Sequence, residues 1–166
     1  MIGLADCSTC VNISGIIPVV PIVPDLLLDI HRQYQSYGGW TWAFQDYVDS
    51  GLMQTIDDGS FTSMMDIVDP INYLDRLAKV PKFVIVSSND EFMMFDWTSI
   101  YYDQIYGEFG ENRLLIIPNS DHGLSTGMHD LLSTSSTFMR SIAEGKTERP
   151  SFEYTHDDGV ITVTIP

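Results

Sequence analysis

Lys82-Phe83-Val84-Ile85-Val86-Ser87-Ser88 runs into Asn89-Asp90-Glu91, and Arg113-Leu114-Leu115-Ile116-Ile117-Pro118 runs into Asn119-Ser120-Asp121-His122-Gly123. Both stretches are short, apolar and rich in branched residues, and both end in turn-forming polar residues. Each therefore reads as a buried strand of a parallel sheet. In the first an acid follows the strand, and in the second a histidine does. Asp90 and His122 are 32 residues apart, room for one crossover segment and one strand.

Strand, acid, helix, strand, histidine, helix is the order in which the α/β-hydrolase fold delivers the last two members of a Ser, Asp/Glu, His triad. Asp90 sits at the carboxyl edge of its strand, where open α/β sheets carry their sites, and is the candidate acid. Glu91 beside it is the alternative, and an aspartate in that place also caps the turn that follows. His122 is the candidate base, because imidazole takes a proton near neutral pH. Its alternative is a loop histidine with local hydrogen bonds. His31, His129 and His156 fall on two helices and a turn, and no chemistry is assigned to them.

Gly123-Leu124-Ser125-Thr126-Gly127 matches G-x-S-x-G, but a nucleophile elbow follows its strand directly and precedes the acid and histidine. Here the motif follows the histidine, and Ser125 reads as the N-cap of a helix. The serine of the triad is expected upstream, outside this chain. The fold expected is thus α/β, the C-terminal half of an α/β-hydrolase fold.

Outward from these strands, Gly15 to Val23 is apolar and β-branched with prolines at its ends, a further parallel strand. Leu27, Ile30, Tyr34 and Tyr37 recur at helical spacing and predict a helix from Leu26 to Tyr37, stopped by Gly38-Gly39. Helical character resumes from Trp40 to Val48. Gln54 to Phe61 reads as a polar loop, Phe61 to Val68 as a short helix ending before Asp69-Pro70, and Ile71 to Leu77 as another turn. Asp96 to Tyr106 is expected to be helical. Ser125 to Glu144 reads as a long amphipathic helix with Met128, Leu131, Leu132, Phe138, Met139 and Ile142 buried, closed by Gly145. Tyr37, Trp40, Trp42, Phe44, Trp97, Tyr101 and Tyr102 suit either core packing or the wall of a substrate pocket, helical spacing favouring the core.

Composition changes after residue 145. Ser151 to Thr155 and Val160 to Ile165 alternate about an Asp-Gly step, which predicts a hairpin. A lone hairpin is marginal in water, so residues 146–166 read as the start of a β-rich region following a partial domain over 1–145. Half a parallel sheet leaves an edge and apolar faces open, and low solubility of the isolated chain is expected.

The 166 residues hold 8 Lys and Arg against 23 Asp and Glu, a net charge of −15. Nucleic acid and anionic membrane are thereby disfavoured as partners, since both demand clustered cations. No apolar run reaches the ~18 residues of a membrane span, and Met1 to Cys7 lacks the basic and apolar regions of a signal peptide. Cys7 and Cys10 form a C-x-x-C without the βαβ setting of a redox pair or the second ligand pair of a zinc site. They read as a local disulfide or inert thiols. No cofactor or metal is expected.

The segments resemble the PhoPQ-activated pathogenicity-related family, which includes the autocrine proliferation repressors. The resemblance rests on Ile16 to Val23, Tyr34 to Trp40, Asp46-Tyr47-Val48, Ile67-Val68-Asp69-Pro70 and Phe95 to Asp103. Its most diagnostic parts are Pro81 to Ile85 with Asn89-Asp90-Glu91-Phe92, and Pro118-Asn119-Ser120-Asp121-His122. It spans about Gly15 to Ile142, with Tyr154 to Pro166 resembling the start of the family's β-rich region. The resemblance implies an α/β-hydrolase fold, export from the cell, and a serine on a Gly-x-Ser elbow, with Asp90 and His122 at the acid and histidine positions. With the serine supplied upstream, the parent protein is expected to act on an ester or peptide, and this chain, without a nucleophile, to be inactive alone. The alternative is an extracellular signalling or binding protein with a protein partner.

Overall fold

The computed structural model describes residues 13–21, 24–77, 80–98, 111–146 and 148–165. Two strands carry the centre, β1 (Lys82–Ser87) and β2 (Asn112–Ile117). They pair in parallel, Lys82 opposite Asn112 through Ser87 opposite Ile117. The other edge of β1 is covered by residues 15–20, where Ile16 and Val19 bridge in parallel to Lys82 and Ile85. Backbone bonds there run from Phe83 N to Ile16 O, from Ile85 N to Pro18 O and from Val20 N to Ile85 O. Pro18 is tolerated inside this segment because only its carbonyl is used. The expected strand is thus a short half-buried parallel edge that ends where Val20 takes φ 40.

Between this edge and β1 the chain crosses over through four helices. They are α1 (Leu26–Tyr37), α2 (Gln45–Asp49), α3 (Gly59–Val68) and α4 (Leu74–Leu77), joined by 3₁₀ turns at Trp42–Phe44, Leu52–Gln54 and Pro70–Tyr73. Helix α1 has the predicted bounds, with Gly38 at φ 70 supplying its left-handed C-cap. The loop expected up to Phe61 ends sooner, because α3 begins at Gly59 and Ile56 is buried. Ile30, Phe44, Met53, Ile56, Phe61, Met65 and Met93 form one core under these helices.

The carboxylate of Asp69, which the sequence marks only as a helix stop, accepts from the backbone N–H groups of Asp25 (3.1 Å), Leu26 (2.8 Å) and Ile71 (3.0 Å). It ties the start of α1 to the turn after α3. At the entrance to β1 the ammonium of Lys82 is buried and donates to the carbonyls of Leu77 and Val80, both at 2.6 Å. Burial lowers its pKa to about 8.

Helix α5 (Met128–Ala143) packs Leu131, Phe138 and Ile142 on a second core of Phe83, Ile85, Ile117 and Leu124. The predicted stripe is only half right. Leu132 and Met139 are each 62% exposed and Met128 is also exposed, because the sheet covers a single narrow face of the helix. Gly145 at φ 64 follows the helix as expected. The chain ends in β3 (Glu153–Asp157) and β4 (Val160–Thr164), antiparallel about Asp158 and Gly159, whose positive φ values of 45 and 76 make the primed turn the Asp-Gly pair predicts. Every residue of both strands is exposed. Of the helix expected over Asp96 to Tyr106, the structure describes a 3₁₀ turn, Phe95–Trp97, leading into α-helix at Thr98; residues 99–106 lie outside the described residues, as do Cys7 and Cys10. Among the described residues no helix is long and apolar enough to cross a membrane.

Candidate active site

Parallel pairing of β1 with β2 brings their carboxyl ends side by side, and the turns that follow are stitched together. Ser88 N donates to Ile117 O and Asn89 N to Ser120 O, both at 3.0 Å. Asn119 N donates to Ser88 Oγ at 2.9 Å, and Ser87 Oγ donates to Ser120 O. Asp90 and His122, predicted separately from two segments, meet here. Both carboxylate oxygens of Asp90 lie 3.0 Å from Nδ1 of His122. The carboxylate is 1% exposed and the imidazole 32%.

Asp90 is itself held. Its Oδ1 accepts from the N–H groups of Phe92 and Met93, each at 2.8 Å. The capping alternative and the partnership with the histidine are therefore both realised, by one carboxylate. Glu91, the rival acid, points elsewhere: its Oε2 accepts the backbone N–H of His122 at 3.1 Å. Phe92 lays its ring 4.9 Å from the imidazole at 57° and also packs on Phe44. From behind, Gln33 of α1 donates its amide to Phe92 O, and Thr41 Oγ1 donates to Glu91 O at 2.7 Å. Sequence reading missed Gln33 and Thr41. The burial of Gln33 on the apolar side of α1 gives no local signal, because its partner is 59 residues away.

With its proton on Nδ1, His122 donates to Asp90 and keeps a lone pair on Nε2. That is the tautomer a general base requires. Beside the loop lies a cavity of about 610 Å³, lined by Asp90 and Glu91 and walled by Tyr37, Thr41, Trp42, Phe95 and Asp96. The aromatics thus divide. Phe44 is core and Trp40 packs against it, whereas Tyr37 and Trp42 are exposed in the cavity wall. Tyr101, Tyr102 and the side chain of Trp97 lie outside the described residues.

The G-x-S-x-G segment does something else. Ser125 Oγ donates to the carboxylate of Asp121 at 3.2 Å, and α5 starts only after Gly127, so the predicted N-cap is not formed. Gly127 is required for packing: a Cβ there overlaps Cγ2 of the buried Ile117. Gly127→Ala is expected to destabilise the protein by about 1–3 kcal/mol, the usual cost of overpacking. Urea unfolding measures it, and an unchanged midpoint would show that Ile117 yields freely.

His31 Nε2 lies 2.8 Å from Asp57 Oδ1 and His129 Nδ1 lies 3.3 Å from Asp130 Oδ1, both at the surface. Among the described residues no cluster of His, Cys, Asp and Glu could hold a metal ion.

A parallel sheet with crossover helices and an acid–imidazole pair at its carboxyl edge defines an α/β protein. The profile of the PhoPQ-activated pathogenicity-related proteins matches residues 7–166, and the chain belongs to that family. It is 30% identical over 161 residues to autocrine proliferation repressor protein A of Dictyostelium discoideum, across 93% of this chain and 32% of that protein. The chain spans about a third of the length of this curated relative. No solved structure matches.

Proposed function

We propose that Asp90 and His122 are the acid and base of a Ser-Asp-His triad in a secreted, α/β-hydrolase-like protein, whose serine lies in a part of the protein outside these residues. Residues 1–145 then belong to the hydrolase-type domain and 146–166 open a β-rich region. The observation that carries this is the grip on Asp90: two backbone donors fix the carboxylate while both its oxygens face Nδ1 of His122. In the reaction Nε2 takes the proton of the serine hydroxyl as the hydroxyl attacks an ester or peptide carbonyl. Asp90 stabilises the imidazolium so formed, which then protonates the leaving group.

Labelling with a fluorophosphonate tests this. The full-length protein is expected to label on a serine, and His122→Ala to abolish the label. In the 166-residue chain alone, His122→Ala is expected to leave any background esterase rate unchanged. A large drop there would place the nucleophile inside the chain and make Ser125 the suspect. The printed name of the Dictyostelium relative, a proliferation repressor, favours a second reading. In that reading the protein is a non-enzymatic extracellular signalling or binding protein, and the full-length protein takes no label.

A further inference from the structure

The cavity of about 610 Å³ beside the acid–imidazole loop has a wall that the proposed chemistry does not use. Three rings line it: Tyr37 at the end of α1, Trp42 of the 3₁₀ turn that follows, and Phe95. All three are exposed, Trp42 to 75%. Exposed rings gathered on one concavity of ligand size mark a binding surface.

The polar groups between the rings have a one-sided chemistry. The hydroxyl of Thr41 donates to Glu91 O at 2.7 Å, and that of Ser88 donates to Asn89 Oδ1 at 3.3 Å. The protons of both hydroxyls are thereby spent within the protein. The charged groups that line the cavity with Asp90 are two further carboxylates, Glu91 and Asp96. Glu91 accepts the backbone N–H of His122 on Oε2, and a carboxylate offers about four lone-pair sites, so acceptor capacity is left over. Among the described residues no lysine, arginine or histidine lines the cavity. Carboxylates without a lining cation, set in an aromatic wall, focus a negative potential into the concavity. That potential is felt behind the wall as well: after burial itself, the charge of Asp96 does most to raise the pKa of Asp29.

Ring faces favour the same sign of ligand, because the aromatic quadrupole attracts cations. An anion is opposed by both features, and a neutral sugar, which needs donors and acceptors alike, meets acceptors in excess. We infer that this cavity binds an organic cation with N–H donors, such as the side chain of a basic residue, as part of the substrate. The N–H groups donate to the carboxylates of the wall, and the apolar arm that carries them lies against Trp42, Tyr37 and Phe95. The inference rests on the proposed hydrolase for the word substrate, but the binding itself needs no nucleophile.

Calorimetric titration of the full-length protein with benzamidine, benzamide and benzoate tests it, since the three share a ring and differ in charge. Benzamidine is expected to bind, benzamide about tenfold more weakly or worse, the cost of a charge-assisted hydrogen bond, and benzoate not measurably. Asp96→Asn is expected to weaken benzamidine about tenfold and to leave benzamide unchanged. Trp42→Leu is expected to weaken benzamidine about threefold, the size of a cation–π contact at a surface. Should Asp96→Asn fail to fold, Trp42→Leu and a fall in benzamidine affinity with added salt carry the test. Benzamidine binding without fluorophosphonate labelling would support the cation site and remove only the triad. Labelling without benzamidine binding would overturn the inference and leave the triad standing. The inference is also overturned if benzamide or benzoate binds as well as benzamidine, or if folded Asp96→Asn or Trp42→Leu binds benzamidine as the parent does.

Discussion

Asp29→Asn is expected to stabilise the protein at pH 8 and to change little at pH 4. Asp29 is 2% exposed on the inner face of α1. Burial, and then the nearby charges of Asp96, Asp90 and Asp25, raise its pKa from 3.8 to about 7 against the opposing pull of Arg32. The folded protein therefore holds a proton that the unfolded chain releases between these two values. For this group, stability is fully present below pH 3.8 and is lost as pH rises through about 7. The asparagine keeps the shape and carries no charge to bury. The gain at pH 8 has a ceiling of about 4 kcal/mol, from the size of the shift, or a rise in Tm of up to roughly 16 °C. Thermal unfolding of both proteins at the two pH values measures it. An equal difference between them at both would show that Asp29 titrates as an ordinary surface carboxylate.

Asp69→Ala is expected to act in the opposite direction. The side chain is buried and satisfies three backbone donors on two separate segments. One of them, Asp25, sits at φ 66, a left-handed conformation that non-glycine residues adopt only when held. Removing the carboxylate leaves three N–H groups without their acceptor at about 1 kcal/mol each, so a loss of about 3 kcal/mol and a Tm lower by roughly 6–12 °C are expected. Asp66→Ala, on the exposed face of α3, is the control and should stay within about 0.5 kcal/mol. If both substitutions cost the same, the carboxylate of Asp69 is not what fixes the start of α1.

The contrast between these two aspartates shows what the sequence makes legible. Helix α1 is readable because its signals are local: Leu27, Ile30 and Tyr34 recur at helical spacing and Gly38 ends it. The runs that become β1 and β2 are readable because continuous branched apolar residues fit only a strand buried on both faces. Asp90 and His122 are readable because each follows such a run directly. What escapes reading depends on partners far along the chain. Asp29, Gln33 and Lys82 are polar residues in buried positions, and nothing within a helical turn of them announces it. Periodicity predicts a wider buried stripe on α5 than the sheet covers, because it gives the apolar side of a helix but not how much of it a neighbour covers. The N-cap predicted at Ser125 does not form, because its hydroxyl is tied to Asp121 and the helix starts only after Gly127, which packs on Ile117.

The stitched register of β1 and β2 also has a consequence in time. Asp90 and His122 approach each other only across a 32-residue separation, through a parallel pairing that cannot begin until the intervening crossover has closed. Such non-local pairings form late, after the loop entropy has been met. The imidazole of His122 is thus a clock on the completion of the sheet. During synthesis Asp90 leaves the ribosome ahead of its partner, and the pair first exists when Asn112 to Ile117 have docked beside β1.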